Sequence, residues 1–242
     1  MVNHKLRAFS TIEMLVVVAV LIGLLSLLQP SLRRALRQAN ALTCQNRLSK
    51  IGAAMGLYEN DFGYFPPNAI QDGAGQYHIS WDDLLGFYQY DGRKLSQYQS
   101  QLGACDEESM LYQCQNQADF SSMDSSSGRH LRSYKINNNQ AAENDGGIAA
   151  RDFGVSLSEI PIPSEVISLA EDDDANVLGK GNASGIANYK NQESMITAEP
   201  LKSHDLQLNY LFSDAHVEAL FYQETVTGLA KNSGYWTRDP SD

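Results

Sequence analysis

Apolar residues follow three different rhythms along this chain, and each predicts a different element. From 14 to 28 the run MLVVVAVLIGLLSLL carries no charge. Extended back to Phe9 it is about twenty residues long, interrupted only by Glu13, and at helical rise it spans roughly 30 Å, one bilayer core. The second rhythm is helical. Leu28, Leu32, Ala35, Ala39 and Leu42 step by threes and fours, and Cys44, Leu48, Ile51, Met55, Tyr58 and Phe62 repeat the step from a shifted start. Arg33, Arg37, Arg47 and Lys50 fall on the opposite face. One helix is therefore predicted from 9 to about 60, continuing past Pro30. It ends near Asn60-Asp61-Phe62-Gly63, because Phe65-Pro66-Pro67 cannot extend it.

The third rhythm alternates. Stretches 208–213 and 217–222 read as two strands around Asp214-Ala215, with Leu208, Tyr210 and Phe212 opposite Phe221, Ala219 and Val217. That pattern predicts a hairpin packed on the long helix. Stretch 133–139 reads as a strand entering a turn, and 166–170 as a short buried strand followed by an acidic loop. A short helix is predicted to start at Trp81-Asp82-Asp83. The rest of 68–130 is polar and irregular, 121–128 and 141–154 read as loops, and 175–203, rich in Gly, Asn and Ser, reads as an insertion over the sheet. The fold class is α+β: a long N-terminal helix, transmembrane in its first half, packed on a small antiparallel sheet with long loops.

Charge divides the chain at the same place. The 242 residues carry a formal net charge of −11. Residues 1–50 hold seven basic side chains against Glu13 alone, a net of +6, which leaves −17 on the rest. An acidic body of this kind stays soluble by self-repulsion and is a poor nucleic-acid binder. With 43% hydrophobic and 19% charged residues the whole is neither disordered nor polytopic. A cleaved signal peptide and an ordinary membrane anchor are two readings of the N-terminus. The apolar run exceeds a typical signal core, and Pro30 with Arg33-Arg34 follows it where a small-residue cleavage site would stand. The basic residues on both flanks leave orientation open on charge alone.

Glu13 favours a third reading, since a carboxylate near the end of a membrane helix is costly and usually functional. The residues Arg7-Ala8-Phe9-Ser10-Thr11-Ile12-Glu13 resemble the type IV prepilin cleavage and methylation motif. In that family a short basic leader is cut just before a Phe, and a Glu stands fifth in the mature chain. The resemblance implies cleavage between Ala8 and Phe9, methylation of Phe9, and assembly roles for Glu13 and for Pro30, which falls where many pilins kink. Ala8 stands where Gly is usual. The stretch from Cys44 through Tyr58 to Pro66-Pro67 is similar to the pseudopilin pattern of an amphipathic helix ending in a Tyr, a polar turn and a Pro. Near the C-terminus His204, nine residues and Asp214 look like the H-x9-D-G motif of many prepilin-like proteins, with Ala215 in place of the Gly.

What the resemblance implies is a leader at 1–8, a filament-core and membrane helix at 9–30, its amphipathic continuation at 31–62, and a globular domain at 63–242. The implied localisation is the inner membrane, crossed once, with the domain outside the cytoplasm. The implied function is a structural subunit of a type II secretion or type IV pilus-like filament, and not an enzyme. The implied partners are other copies or other pseudopilins, the prepilin peptidase, an assembly platform and the membrane, without nucleic acid. The alternative is a ligand-binding or enzymatic domain on a pilin-like anchor.

Three smaller constellations remain. Cys105 and Cys114 enclose eight residues of a loop-rich exported domain and are expected to pair, while Cys44, on the apolar stripe, reads as a small buried hydrophobe. Asp172, Asp174 and Asn176 mimic the start of a calcium loop, but Val177 and Ala183 stand where its Gly and Glu are needed. A solvated loop and a looser calcium site are the two readings; no other cofactor is expected. At Asp214 a structural role is expected: its short side chain orders the hairpin bend, and Ala215 favours a type I-based turn over a two-residue one. His204 is expected to anchor the strand entrance or touch a neighbour, not to meet Asp214.

Overall fold

A computed structural model describes residues 11–71, 77–94, 107–114, 123–124, 129–138, 146–177, 186–187, 207–226 and 234–238. The fold is α+β, as the pattern predicts. Helix α1 covers Thr11–Phe62 and runs through Pro30. The chain divides into two compact units, 1–39 and 40–242.

In the first unit every described residue, 11 to 39, is exposed. Its apolar side chains, from Ile12 through Leu28 to Leu36, touch no core. By length and composition α1 is able to cross a membrane, and its apolar window has no buried share. A helix pairs its backbone within itself, as a lipid setting requires, except that Pro30 supplies no N–H to the Ser26 carbonyl. Two hydroxyls also fold back onto it: Ser26 Oγ donates to the Gly23 carbonyl at 2.7 Å and Ser31 Oγ to the Leu28 carbonyl at 2.8 Å.

In the second unit the same helix buries Cys44, Leu48, Ile51, Gly52, Ala54, Met55 and Tyr58. Five of the six residues of the predicted second stripe are in the core; Phe62 is partly buried against it. The helix lies on an antiparallel sheet built from β3 (Met123–Asp124), β4 (Arg129–Asn137), β7 (Ile167–Val177), β9 (Leu208–Phe212) and β10 (Val217–Leu220). Their spatial order is β10-β9-β7-β4-β3, and β8 (Ile186–Ala187) joins β4 in parallel. Two short hairpins flank the sheet: β1 (Ala69–Gln71) with β2 (Tyr77–Ser80), and β5 (Ala149–Ala150) with β6 (Phe153–Gly154). Helix α2, Trp81–Phe87, follows β2 directly, and Ser80 caps it together with Asp83.

Two expectations about the hairpin are corrected. The register of β9 against β10 is one residue from the predicted one: Val217 faces Leu211, and Leu220 faces Leu208. The loop is three residues long, in keeping with the type I-based turn expected at Ala215. Ala215 N donates to the Phe212 carbonyl at 2.9 Å, and Phe212 N to the His216 carbonyl at 2.9 Å, which closes a type I-based turn over Ser213, Asp214 and Ala215. The faces also differ from expectation. β9 is buried on both sides. Leu208, Tyr210 and Phe212 pack with Trp236 in a second core, while Leu211 joins the core that holds α1. Gly52 of the helix permits this approach, since a Cβ there would lie 2.6 Å from Leu211 Cδ1.

The acidic run is corrected too. Asp172, Asp174 and Asn176 belong to β7, which continues to Val177, so the expected loop is a strand. β4 pairs with it, Arg132 opposite Asn176 and Leu131 opposite Val177, past an irregularity between Arg132 and Tyr134.

Candidate functional site

Where the two units' chemistry differs most is along α1. Glu13 and Pro30 both lie on its exposed stretch. Ala8 and Phe9, the residues of the cleavage motif, lie outside the described residues, as do Cys105 and His204.

Helix and sheet are joined covalently just past that stretch. Cys44 is bonded to Cys114, with 5.2 Å between their Cα atoms. The expected Cys105–Cys114 pairing is therefore wrong, and so is the reading of Cys44 as a plain hydrophobe. The reason is packing: the apolar helix face that carries Cys44 lies against the segment entering the sheet, within disulfide reach of Cys114. Polar bonds lock the same joint. Tyr134 OH donates to the Cys44 carbonyl at 3.1 Å, Arg47 Nη1 to the Gln113 carbonyl at 2.8 Å, and the Cys114 amide to Ser133 Oγ at 2.8 Å. Glu171 brings a buried carboxylate within 4.8 Å of both sulfurs. Bonded to each other, the sulfurs offer no thiolate to a metal. Glu171 Oε2 instead accepts from the Asn209 amide at 3.0 Å and Nδ2 at 2.7 Å.

A second polar cluster was not foreseen beyond its helix start. Asp82 and Asp83 are fully buried at the first turn of α2, with Arg93 and Arg132. Arg132 bonds Asp82 and lies over the Trp81 ring. Arg93 is held by Asp91 at 2.7 Å, by the Asp82 carbonyl, and by the face of Tyr112 at 4.6 Å. Tyr112 OH donates to Asp91 at 2.5 Å. Burial, and then the charge of Asp82, push the Asp83 carboxyl well above the usual range. Burial opposes the charge on Arg93, but Tyr112, Asp91 and Asp82 outweigh it and keep it protonated. Most of the cluster's polar bonds stay within it, which is how buried ions are tolerated, while Asp83 Oδ1 and Arg93 Nη1 find no partner among the described residues. Only the Asp-Asp pair beside Trp81 was visible in sequence; its arginines come from 93 and 132, and no spacing connects them.

At the hairpin turn Asp214 does what its position predicted. Its Oδ1 accepts from the His216 amide at 3.1 Å and meets His216 Nδ1 at 2.5 Å. The His216 ring stacks on Phe212 at 4.2 Å. Partial burial works against the charge, but the His216 amide and ring hold the Asp214 carboxyl below the usual range. The turn rims a shallow groove of about 170 Å³ against Gly52, Met55, Gly56 and Leu211 of the helix and sheet. That is below the roughly 300–1,000 Å³ of small-molecule sites.

A family model described as "Protein of unknown function (DUF1559)" matches residues 33–91. The match covers less than half of the chain, from the exposed part of α1 through the Cys44 joint and α2. It contains the 44–67 stretch that is similar to the pseudopilin pattern, and it leaves out the Arg7–Glu13 motif, His204 and Asp214. No curated protein and no solved structure matches the chain.

Proposed function

We propose that this protein is a pilin-like filament subunit, anchored in a membrane and assembled through α1. One observation carries the reading. A single helix leaves its apolar residues wholly exposed from 11 to 39 and buries them at every third or fourth position from 44 to 58. A soluble domain gains nothing from the first half, whereas a subunit that sits in lipid and later bundles with its neighbours needs it. The match to a family of unknown function over 33–91 is compatible with this and adds no activity.

In this reading a prepilin peptidase removes 1–8 before Phe9, and Glu13 pairs with a cation of a neighbouring copy as the helices gather in a low-dielectric bundle. The inner membrane holds the subunit until an assembly platform extracts it, and the acidic body faces outward from the cytoplasm. The Cys44–Cys114 bond fits an oxidising compartment for that body. The chain is a structural part here, not an enzyme, and needs no resident cofactor. Calcium at Asp172, Asp174 and Asn176 loses its main argument once these residues lie in a strand. The intact mass of chain extracted from membranes tests the reading. It should lack residues 1–8 and carry one added methyl group, and retain the leader when the peptidase is deleted. A mature terminus near Pro30 would replace the filament subunit by a secreted protein.

A further inference from the structure

Where α1 ends in the second unit, aromatic rings gather. The Tyr58 centroid stands 4.5 Å from Phe62, 6.1 Å from Tyr64, 5.9 Å from Tyr88 and 6.2 Å from Tyr90. Phe62 and Tyr88 are 4.7 Å apart, and Tyr88 stacks on Tyr90 at 6.1 Å. Tyr58 is buried. Phe62, Tyr88 and Tyr90 are half-buried, and Tyr64 is 39% exposed. Between the two stacked tyrosines Gln89 holds φ at 63°, a left-handed conformation that costs a side-chain-bearing residue about 1 kcal/mol. Strain of this kind persists where the surroundings impose it.

The patch is acidic as well as aromatic. Tyr90 OH donates to Asp61, which is exposed, and Asn60 Nδ2 donates to the other Asp61 oxygen at 3.2 Å. Burial, and then the Asp61 bond, push the Tyr90 hydroxyl up to about 12, so it stays a neutral donor at physiological pH. Ring faces beside a carboxylate attract a cation, and a planar guanidinium, which stacks and pairs at once, fits them best.

The chain itself carries such cations. Arg33 and Arg34 are exposed on the other unit, beside exposed Leu32 and Leu36, and no acidic residue lies between Glu13 and Glu59. We propose that the aromatic and acidic patch of one copy receives Arg33 and Arg34 of a second copy, guanidinium over tyrosine ring, with Asp61 as counter-charge. The proposal rests on the filament reading and names the contact that orders it. Charge complementarity selects the second copy: without the leader the segment 9–39 has a net of +2, with all three of its basic residues at 33–37, and it meets a body, 40–242, of net −15. Because the two patches differ, the contact is head-to-tail. Each added copy presents a fresh patch, so the contact propagates unless its rotation closes a ring.

Site-specific photo-crosslinking in membranes tests this with the full chain. Tyr64 is replaced by p-benzoyl-phenylalanine, which keeps an aromatic ring in the patch, and tagged and untagged copies are co-expressed. The expected adduct joins Tyr64 of one copy to 32–37 of the other. Its yield should fall about fivefold or more in Arg33→Gln/Arg34→Gln, and by less in Arg33→Lys/Arg34→Lys, which keeps charge but loses the planar stack. A companion probe at Leu21 separates the two ideas. If Leu21 crosslinks copies while Tyr64 captures lipid, another segment or nothing, the arginine contact is overturned and the filament reading stands. If neither probe joins two copies, both are overturned.

Discussion

Two stretches of α1, 11–39 and 44–58, are made from similar residues and meet opposite fates. Leu21, Ile22 and Leu25 are more than half exposed, whereas Leu48, Ile51 and Met55 are at most 1% exposed. Helix propensity does not separate them, since Leu, Ile and Met serve equally in both. The separation lies in spacing. Apolar residues fill every face of the first stretch from 14 to 28, whereas in the second the buried ones gather on one face and Asn46, Ser49 and Lys50 stay outside. A helix apolar all round asks for lipid or other helices, and a striped one asks for a sheet. Between them the Cys44 bond marks where covering begins.

Cutting that bond is the strongest way to break the contrast. The Cys44–Cys114 link closes a loop with a separation of 70 residues, so its chain-entropy contribution is about 4 kcal/mol. Cys44→Ser/Cys114→Ser should lower the stability of the body by that order. A denaturant melt of full-length chain in detergent, followed by near-ultraviolet circular dichroism, reads it. An unchanged midpoint would mean that packing alone holds helix to sheet.

Paired truncations sharpen the contrast next. Leu48→Ala deletes a fully buried side chain and should cost roughly 2–5 kcal/mol in the same melt. Leu21→Ala, on the exposed stretch, should leave the melt of the body within about 0.5 kcal/mol of wild type. Equal losses would show that the two stretches share one core.

The body's buried polar cluster supplies a pH signature of its own. The Asp83 carboxyl is held above its unfolded value of about 3.9, by burial first and by Asp82 second. Its proton therefore favours the folded state. The contribution is complete below about pH 4 and is lost as pH rises from there through the folded value. Asp83→Asn should abolish that decline, so its stability relative to wild type should grow above pH 4 and then level off. Asp83 Oδ1 has no partner among the described groups, and a neutral amide costs less there than a carboxylate. Parallel pH profiles for the two proteins would count against a neutral Asp83.

How much of this was legible follows the range of each signal. The α1 stripe, the start of α2 at Trp81 and the strand beginning at Ile167 rest on local periodicity and were readable. The partner of Cys114 was not, because Cys44 and Cys105 both fit by composition and only the docking of α1 beside residues 112–114 decides between them. The arginines of the Asp82 cluster were hidden for the same reason, arriving from 93 and 132 by way of the tertiary fold. The strand through Asp172, Asp174 and Asn176 reads as a loop by charge; pairing with β4 overrides that preference, as ladders often override propensity. The hairpin register slipped by one because two strands around Asp214-Ala215 suggest an even loop, and a left-handed residue made it odd.

That residue gives the smallest and most local prediction. Ala215 closes the turn with φ at 71°, the position that a glycine occupies most easily in a type I turn followed by a bulge. An alanine there carries about 1–2 kcal/mol of steric cost. Asp214 and His216 fix the turn around it by their paired bonds, so the strain persists. Glycine would remove that cost but add about 0.4–1 kcal/mol of unfolded-chain entropy. Ala215→Gly should therefore stabilise the body by about 0.5–1 kcal/mol, read as a small rise in the denaturant midpoint with unchanged slope. The turn rests against Gly52 on the striped half of α1, where the Ala215 methyl stands 3.5 Å from the place a Gly52 Cβ would take. A loss of stability would show that this methyl contributes more to covering the helix than its backbone strain removes, and that the turn belongs to the core rather than to its rim.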